Sequence, residues 1–350
     1  MSLQTGSAVA SRQSLRGRLI ALYLCLAIAN AAAWGWAWMV FSDEPVLLGA
    51  AFLAWVLGLR HAVDPDHIAA IDNTTRKLMK QGERPVTVGL WFALGHSTVV
   101  FLACALIGFF ALGVKDSLVE FKEVGGLIGT IVSSAFLLTI GLFNLFVFLG
   151  VRRAFKASRS GERYREEDVE AIMAKHGFLA RFLRPLFALI SKSWHMYPLG
   201  FLFGLGFDTA TAIGLFAMTA ATATDGMSLS TVMVFPVIFA AGMALADAAD
   251  GTLMLGAYEW AYVDPDRKLF YNLTITATSA FVALVIGAIQ VLGLVAEKLD
   301  LTGGAWDLLG AVRERFDVLG FLIVALFMVA WAAAALVYKR MIVNTAQQRA

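Results

Sequence analysis

Charge is scarce in this sequence. Only 15% of its 350 residues are Asp, Glu, Lys or Arg, against roughly a quarter in an ordinary soluble domain. That is too little charge to coat a water-exposed surface of this size. Cysteine is scarcer still. Cys25 and Cys104 both sit inside apolar runs, form no CxxC pair and imply no disulfide framework. No GxxxxGK[ST] loop occurs, which excludes ATP binding of the P-loop kind. No HExxH spacing occurs either, so the helical zinc-hydrolase pattern is missing. The formal net charge is only +2, far from the basic face that nucleic acid requires.

Hydrophobic residues are abundant instead. They make up 59% of the chain, with a mean hydropathy of +0.73. A helix crosses a bilayer with about 20 mostly apolar residues. The pattern predicts eight such spans, at 19–41, 46–68, 87–113, 124–151, 195–222, 230–259, 270–296 and 317–338. Basic residues collect in alternate loops: Arg12, Arg16 and Arg18; Arg76, Lys77, Lys80 and Arg84; Arg152 to Arg165; Arg267 and Lys268; Lys339 and Arg340. The other loops are short and acidic or mixed. Basic loops stay in the cytoplasm, so both termini are expected inside. The expectation is an all-α integral membrane protein with one polytopic domain over 1–350 and a cytoplasmic loop at 152–194. In that loop, EEDVEAIMAKHGFLARFLRPLF begins acidic and ends basic, which suits an amphipathic surface helix. His176 within it reads as a surface histidine. The first span also has signal-peptide features, with ANAAA at 29–33, but WGWAWMVF carries the apolar run on to a full span. Trp194, Tyr197, Tyr258, Trp260, Tyr262 and Tyr338 fall near span ends. There an aromatic ring serves either the headgroup belt or the core.

Ionisable side chains inside spans are costly and usually functional. They concentrate in four places. The densest holds Arg60, His61, Asp64, Asp66, His67 and Asp72. On an unbroken helix His67 would lie about 240° round from His61, so the two imidazoles could not address one ion. Pro65 alters this, because proline removes a backbone hydrogen bond and clashes with the carbonyl four residues back. A break there would turn both histidines inward, a recurrent device of transporters. The bland alternative is a plain helix end. The second place is His96 with Gly95, the third is Asp208 with Thr209 and Thr211, and the fourth is Asp247 and Asp250, three residues apart on one face. Clustered acids in low dielectric call for a cation. Imidazole suits nickel, cobalt, copper and zinc. Nothing resembles a Met- and Cys-rich copper path, and an all-oxygen magnesium or calcium cage would not need His61, His67 and His96. Nickel or cobalt, ahead of zinc, is the chemical reading.

Four segments carry a closer likeness: RHAVDPDHIAAIDNTTRKL at 60–78, LGHSTVV at 94–100, LGFDTAT at 205–211 and GMALADAAD at 242–250. With these, in this order, the sequence resembles the nickel/cobalt transporter family of bacterial permeases over essentially its whole length. The resemblance implies an eight-span permease of the bacterial cytoplasmic (inner) membrane. It would import Ni(II), sometimes Co(II), at high affinity and low capacity, as a transported substrate with no prosthetic group. It implies metal recognition by His61, Asp64, Asp66, His67, His96, Asp208, Asp247 and Asp250. Two positions depart from the family pattern: Pro65 stands where Ala is usual, and Ala212 where an acid is common. The second departure removes one possible ligand or proton carrier.

The expected mechanism is secondary transport with no ATPase partner. Membrane potential supplies about 2.3 kcal/mol per charge per 100 mV, so a dication gains ~4.6 kcal/mol, an accumulation of ~10³-fold. Spans two to four and five to seven run in opposite senses and each triplet begins with an Asp-containing motif, which suggests an inverted repeat. Two rivals remain open at this level. An intramembrane metal-dependent hydrolase would use the His and Asp residues to activate water. A proton or sodium carrier would use Asp208, Asp247 and Asp250.

Overall fold

Lipid offers the backbone no hydrogen-bond partners, so an apolar span must satisfy its own amides and carbonyls. In the computed structural model, which describes residues 2–110, 115–159, 190–205, 215, 218–219, 221–222, 227–262 and 265–347, every regular element is a helix. Helix α1 is Ser2–Phe41, α2 Pro45–His61, α3 Pro65–Lys80, α4 Val88–Phe110 and α5 Lys115–Arg159. A 3₁₀ turn, Ser193–His195, leads into α6, Met196–Gly204. A single helical turn, Leu229–Val232, precedes α7, Val234–Tyr262. Then come α8, Pro265–Lys298, α9, Ala305–Arg313, and α10, Phe316–Gln347.

Local chemistry sets several of these ends. Proline opens α2, α3 and α8, where its fixed φ suits the first turn and its missing N–H would have had no helical partner. Ser228 caps the Leu229–Val232 turn by accepting the Thr231 N–H at 3.3 Å. Gly303 and Gly304 have φ of 88° and 56°. That left-handed backbone is cheap for glycine, and it turns the chain into α9.

Among the described residues, five helices are long and apolar enough to cross a membrane: Leu15–Phe41, Val88–Phe109, Val124–Gly150, Leu229–Glu259 and Thr274–Lys298. The bent pair Pro45–His61 and Pro65–Lys80 makes a sixth if it is one span, and Val318–Ala330 is a shorter apolar helix. Much of the fifth expected span, 195–222, lies outside the described residues, as does most of the 152–194 loop with His176. Large apolar side chains point outward, Met39 at 77% exposure and Phe109 at 72%. Such faces require an apolar solvent, and the chain is a multi-pass membrane protein.

The chain divides into two compact units. The first comprises Met1–Val63, Lys77–Thr130 and Lys192–Leu255. Its core gathers Phe41, Phe235, Phe239, Met243 and Leu255, and Phe41 stacks on Phe235 at 5.5 Å. Hydrophobic burial does not hold helices together against lipid, so close backbone approach and interhelical hydrogen bonds matter more. Glycine provides the approach. A Cβ at Gly58 would strike the Phe239 carbonyl, and one at Gly242 the Trp55 carbonyl, so α2 and α7 cross backbone to backbone. Gly95 and Gly200 do the same for α4 and α6, against the carbonyls of Tyr197 and Phe92. Asn30 of α1 adds a polar clasp. Its Oδ1 accepts from Trp55 Nε1 at 3.0 Å and its Nδ2 donates to the Ala241 carbonyl at 3.2 Å.

The second unit comprises Asp64–Arg76, Ile131–Ser191 and Gly256–Ala350. Gly141 and Gly287 mark the crossing of α5 and α8, each facing a leucine of the other helix, Leu284 and Leu138. The α3 segment of this unit is unusual. Asp72, Asn73, Thr74, Thr75 and Arg76 are polar and are all buried. For Asp72 and Asn73 partners meet that cost. Asp72 accepts from the Tyr258 hydroxyl at 2.5 Å and the Ser279 hydroxyl at 2.7 Å. Asn73 Oδ1 accepts from Arg76 Nη2 at 3.2 Å and from Asn144 Nδ2. Tyr258, 2% exposed, therefore serves the core and not the headgroup belt.

Candidate metal centre

The centre is built from the C-terminal turn of α2 outward. Helix α2 ends at His61, and Ala62, Val63 and Asp64 separate it from α3. The last backbone bonds before the break are Ala62 N–H to the Gly58 carbonyl and Val63 N–H to the Arg60 carbonyl. Asp64 restarts the ladder, its carbonyl accepting from Ile68 N–H at 3.2 Å. The interruption expected from Pro65 is present, and Pro65 is the first residue of the new helix.

In the first unit His61 meets His96 of α4. Their Nε2 atoms are 2.8 Å apart, with ring centroids at 4.7 Å and planes at 63°. Both imidazoles are buried, at 2% and 4% exposure. Phe239 lies beside His61 at 5.7 Å between centroids, and Phe92 beside His96 at 6.3 Å. The Gly58 approach places α7, and with it Phe239, against α2. Two neutral imidazoles at this distance share one N–H···N bond. Without that proton their lone pairs converge on one point, the donor arrangement a transition-metal cation accepts.

On α7, Asp247 is fully buried and Asp250 half-buried. A Cβ at Gly89 would collide with the Asp247 carbonyl, so α4 passes directly over that turn. In the second unit, His67 is buried in the first turn of α3 and Asp64 is buried just before it. Asp66 Oδ1 accepts the His67 backbone N–H at 3.0 Å, and its Oδ2 accepts from Gln290 Nε2 at 3.4 Å. A carboxylate in the first turn also meets the positive end of the helix dipole. Asp208 falls outside the described residues. Sequence reasoning did not single out Ser133, Asn144, Ser279 or Gln290. Their signal was present as isolated polar residues within apolar runs, such as LFNLF at 142–146 and GAIQVLG at 287–293.

Apolar spans interrupted by a proline-led break and carrying buried imidazoles and carboxylates define a multi-pass membrane transport protein. The profile of the NicO family, described as high-affinity nickel-transport protein, matches residues 47–337, and the chain belongs to that family. It is a family of transporters, not enzymes. The chain is 52% identical over 324 residues to the high-affinity nickel transport protein of Cupriavidus necator, covering 93% of this chain and 92% of that one. It is 46% identical over 302 residues to the nickel transporter NixA of Staphylococcus aureus, covering 86% and 88%. It is 38% identical over 293 residues to the cobalt transport protein NhlF of Rhodococcus rhodochrous, covering 83% and 82%. No solved structure matches the chain.

Proposed function

We propose that this protein imports Ni(II), and with lower preference Co(II), across the bacterial cytoplasmic membrane as a secondary permease. In this reading eight spans leave both termini inside, and the membrane potential drives the dication inward. His61, His67 and His96 are the imidazoles expected from the sequence to recognise the ion. Asp64, Asp66, Asp208, Asp247 and Asp250 supply the negative charge along its approach. The nickel transporters and the cobalt transport protein among its relatives support nickel first and cobalt second.

The observation that carries the choice of metal is the spacing of His61 and His96. Their Nε2 atoms meet at 2.8 Å between the rings of Phe239 and Phe92, and paired imidazoles suit nickel and cobalt better than the hard cations that prefer oxygen. The test is uptake of radioactive nickel by cells expressing the chain, with cobalt, zinc and manganese in excess as competitors. Saturable nickel uptake, suppressed more by cobalt than by zinc or manganese and abolished in His61→Ala or His67→Ala at unchanged membrane abundance, is expected. Absence of nickel uptake, or normal uptake in both variants, refutes the reading.

A further inference from the structure

Gln290 sits in the apolar run of α8 and is 7% exposed. Burying an amide is costly unless its hydrogen bonds are made. Both ends of this amide are used. The Ser133 hydroxyl donates to Gln290 Oε1 at 3.0 Å, and Gln290 Nε2 donates to Asp66 Oδ2 at 3.4 Å. Asp66 in turn holds the His67 backbone N–H through Oδ1 at 3.0 Å. Four residues thus form one chain, Ser133 to Gln290 to Asp66 to His67. The close α5–α8 crossing at Gly141 and Gly287 brings Ser133 and Gln290 together. Gln290 and Ser133 lie outside all four segments that carry the family likeness. A residue needed only for packing in this run would be apolar like its neighbours, Ile289 and Val291.

We infer that Gln290, braced by Ser133, is a positioning residue for substrate recognition: it fixes the Asp66 carboxylate, and through it the first turn of α3 that bears His67. The inference rests on the nickel reading above. Outer partners that orient metal ligands typically contribute 10–100-fold to affinity. A weak 3.4 Å contact to the carboxylate belongs at the lower end of that range.

The test compares wild type, Gln290→Leu, Ser133→Ala and Ser133→Thr in intact cells, reading nickel uptake against concentration and membrane abundance by immunoblot. The expectation is a half-saturating nickel concentration raised about 10-fold in Gln290→Leu, a smaller rise in Ser133→Ala, and restoration in Ser133→Thr, which keeps the hydroxyl. Abundance and maximal rate stay near wild type. A merely structural role would lower abundance and leave half-saturation unmoved. If Gln290→Leu fails to accumulate, the serine pair decides: a rise in Ser133→Ala reversed in Ser133→Thr supports the inference, and no rise overturns it. Unchanged half-saturation in a well-expressed Gln290→Leu overturns it as well, with the nickel reading intact. A wild-type protein that takes up no nickel overturns both.

Discussion

Replacing Asp72 with Asn turns one acceptor oxygen into a donor NH2 with almost no change of volume, and the structure sets what that costs. The carboxylate accepts two hydroxyl bonds, 2.5 Å from Tyr258 and 2.7 Å from Ser279. The amide keeps only one acceptor oxygen, so one of the two hydroxyl bonds is lost, and an unsatisfied buried group costs about 1–3 kcal/mol. Arg76, one turn further along α3 and 2% exposed, keeps its bond to Asn73. The loss should appear as a lower Tm. The assay is thermal unfolding of detergent-purified protein, scanned at one rate for wild type, Asp72→Asn, Tyr258→Phe and the double variant. The two single changes share one bond, so their effects should be less than additive. An Asp72→Asn protein as stable as wild type, or a strictly additive double variant, would refute the account of this network.

Close helix crossings make a separate prediction. Gly95→Leu should separate α4 from α6, because its side chain would enter the Tyr197 carbonyl. Overpacking of this kind costs about 1–3 kcal/mol or more and should break the 2.9 Å bond between Thr98 and the Tyr197 hydroxyl. Gly200→Leu, aimed at the Phe92 carbonyl across the same crossing, should lower stability similarly. Wild-type melting in both variants would contradict the crossing.

Much of the membrane architecture was legible in the sequence because hydropathy over about 20 residues is a local property. The expected spans 87–113, 124–151 and 230–259 correspond to Val88–Phe109, Val124–Gly150 and Leu229–Glu259. The break before Pro65 was legible for the same reason, since proline acts on its own turn. Pairings were not. His61 and His96 are 35 residues apart in sequence, and nothing local states that their Nε2 atoms meet. Asp72 stood out as a charge inside a span, but its partners lie 186 and 207 residues further on. Tyr258 was ambiguous because a tyrosine near a span end suits either the interface or a buried acceptor, and only tertiary packing chooses. Gln290 carried a visible cost in its apolar run without showing what it served.

The central claim is that buried imidazoles hold the transported ion. The most direct measurement is nickel K-edge X-ray absorption of the purified, nickel-loaded protein, compared with His96→Ala. The account predicts imidazole scattering from at least two rings at about 2.0–2.1 Å, and a loss of one ring in the variant. A shell of oxygen ligands alone, or a spectrum unchanged by His96→Ala, would contradict it.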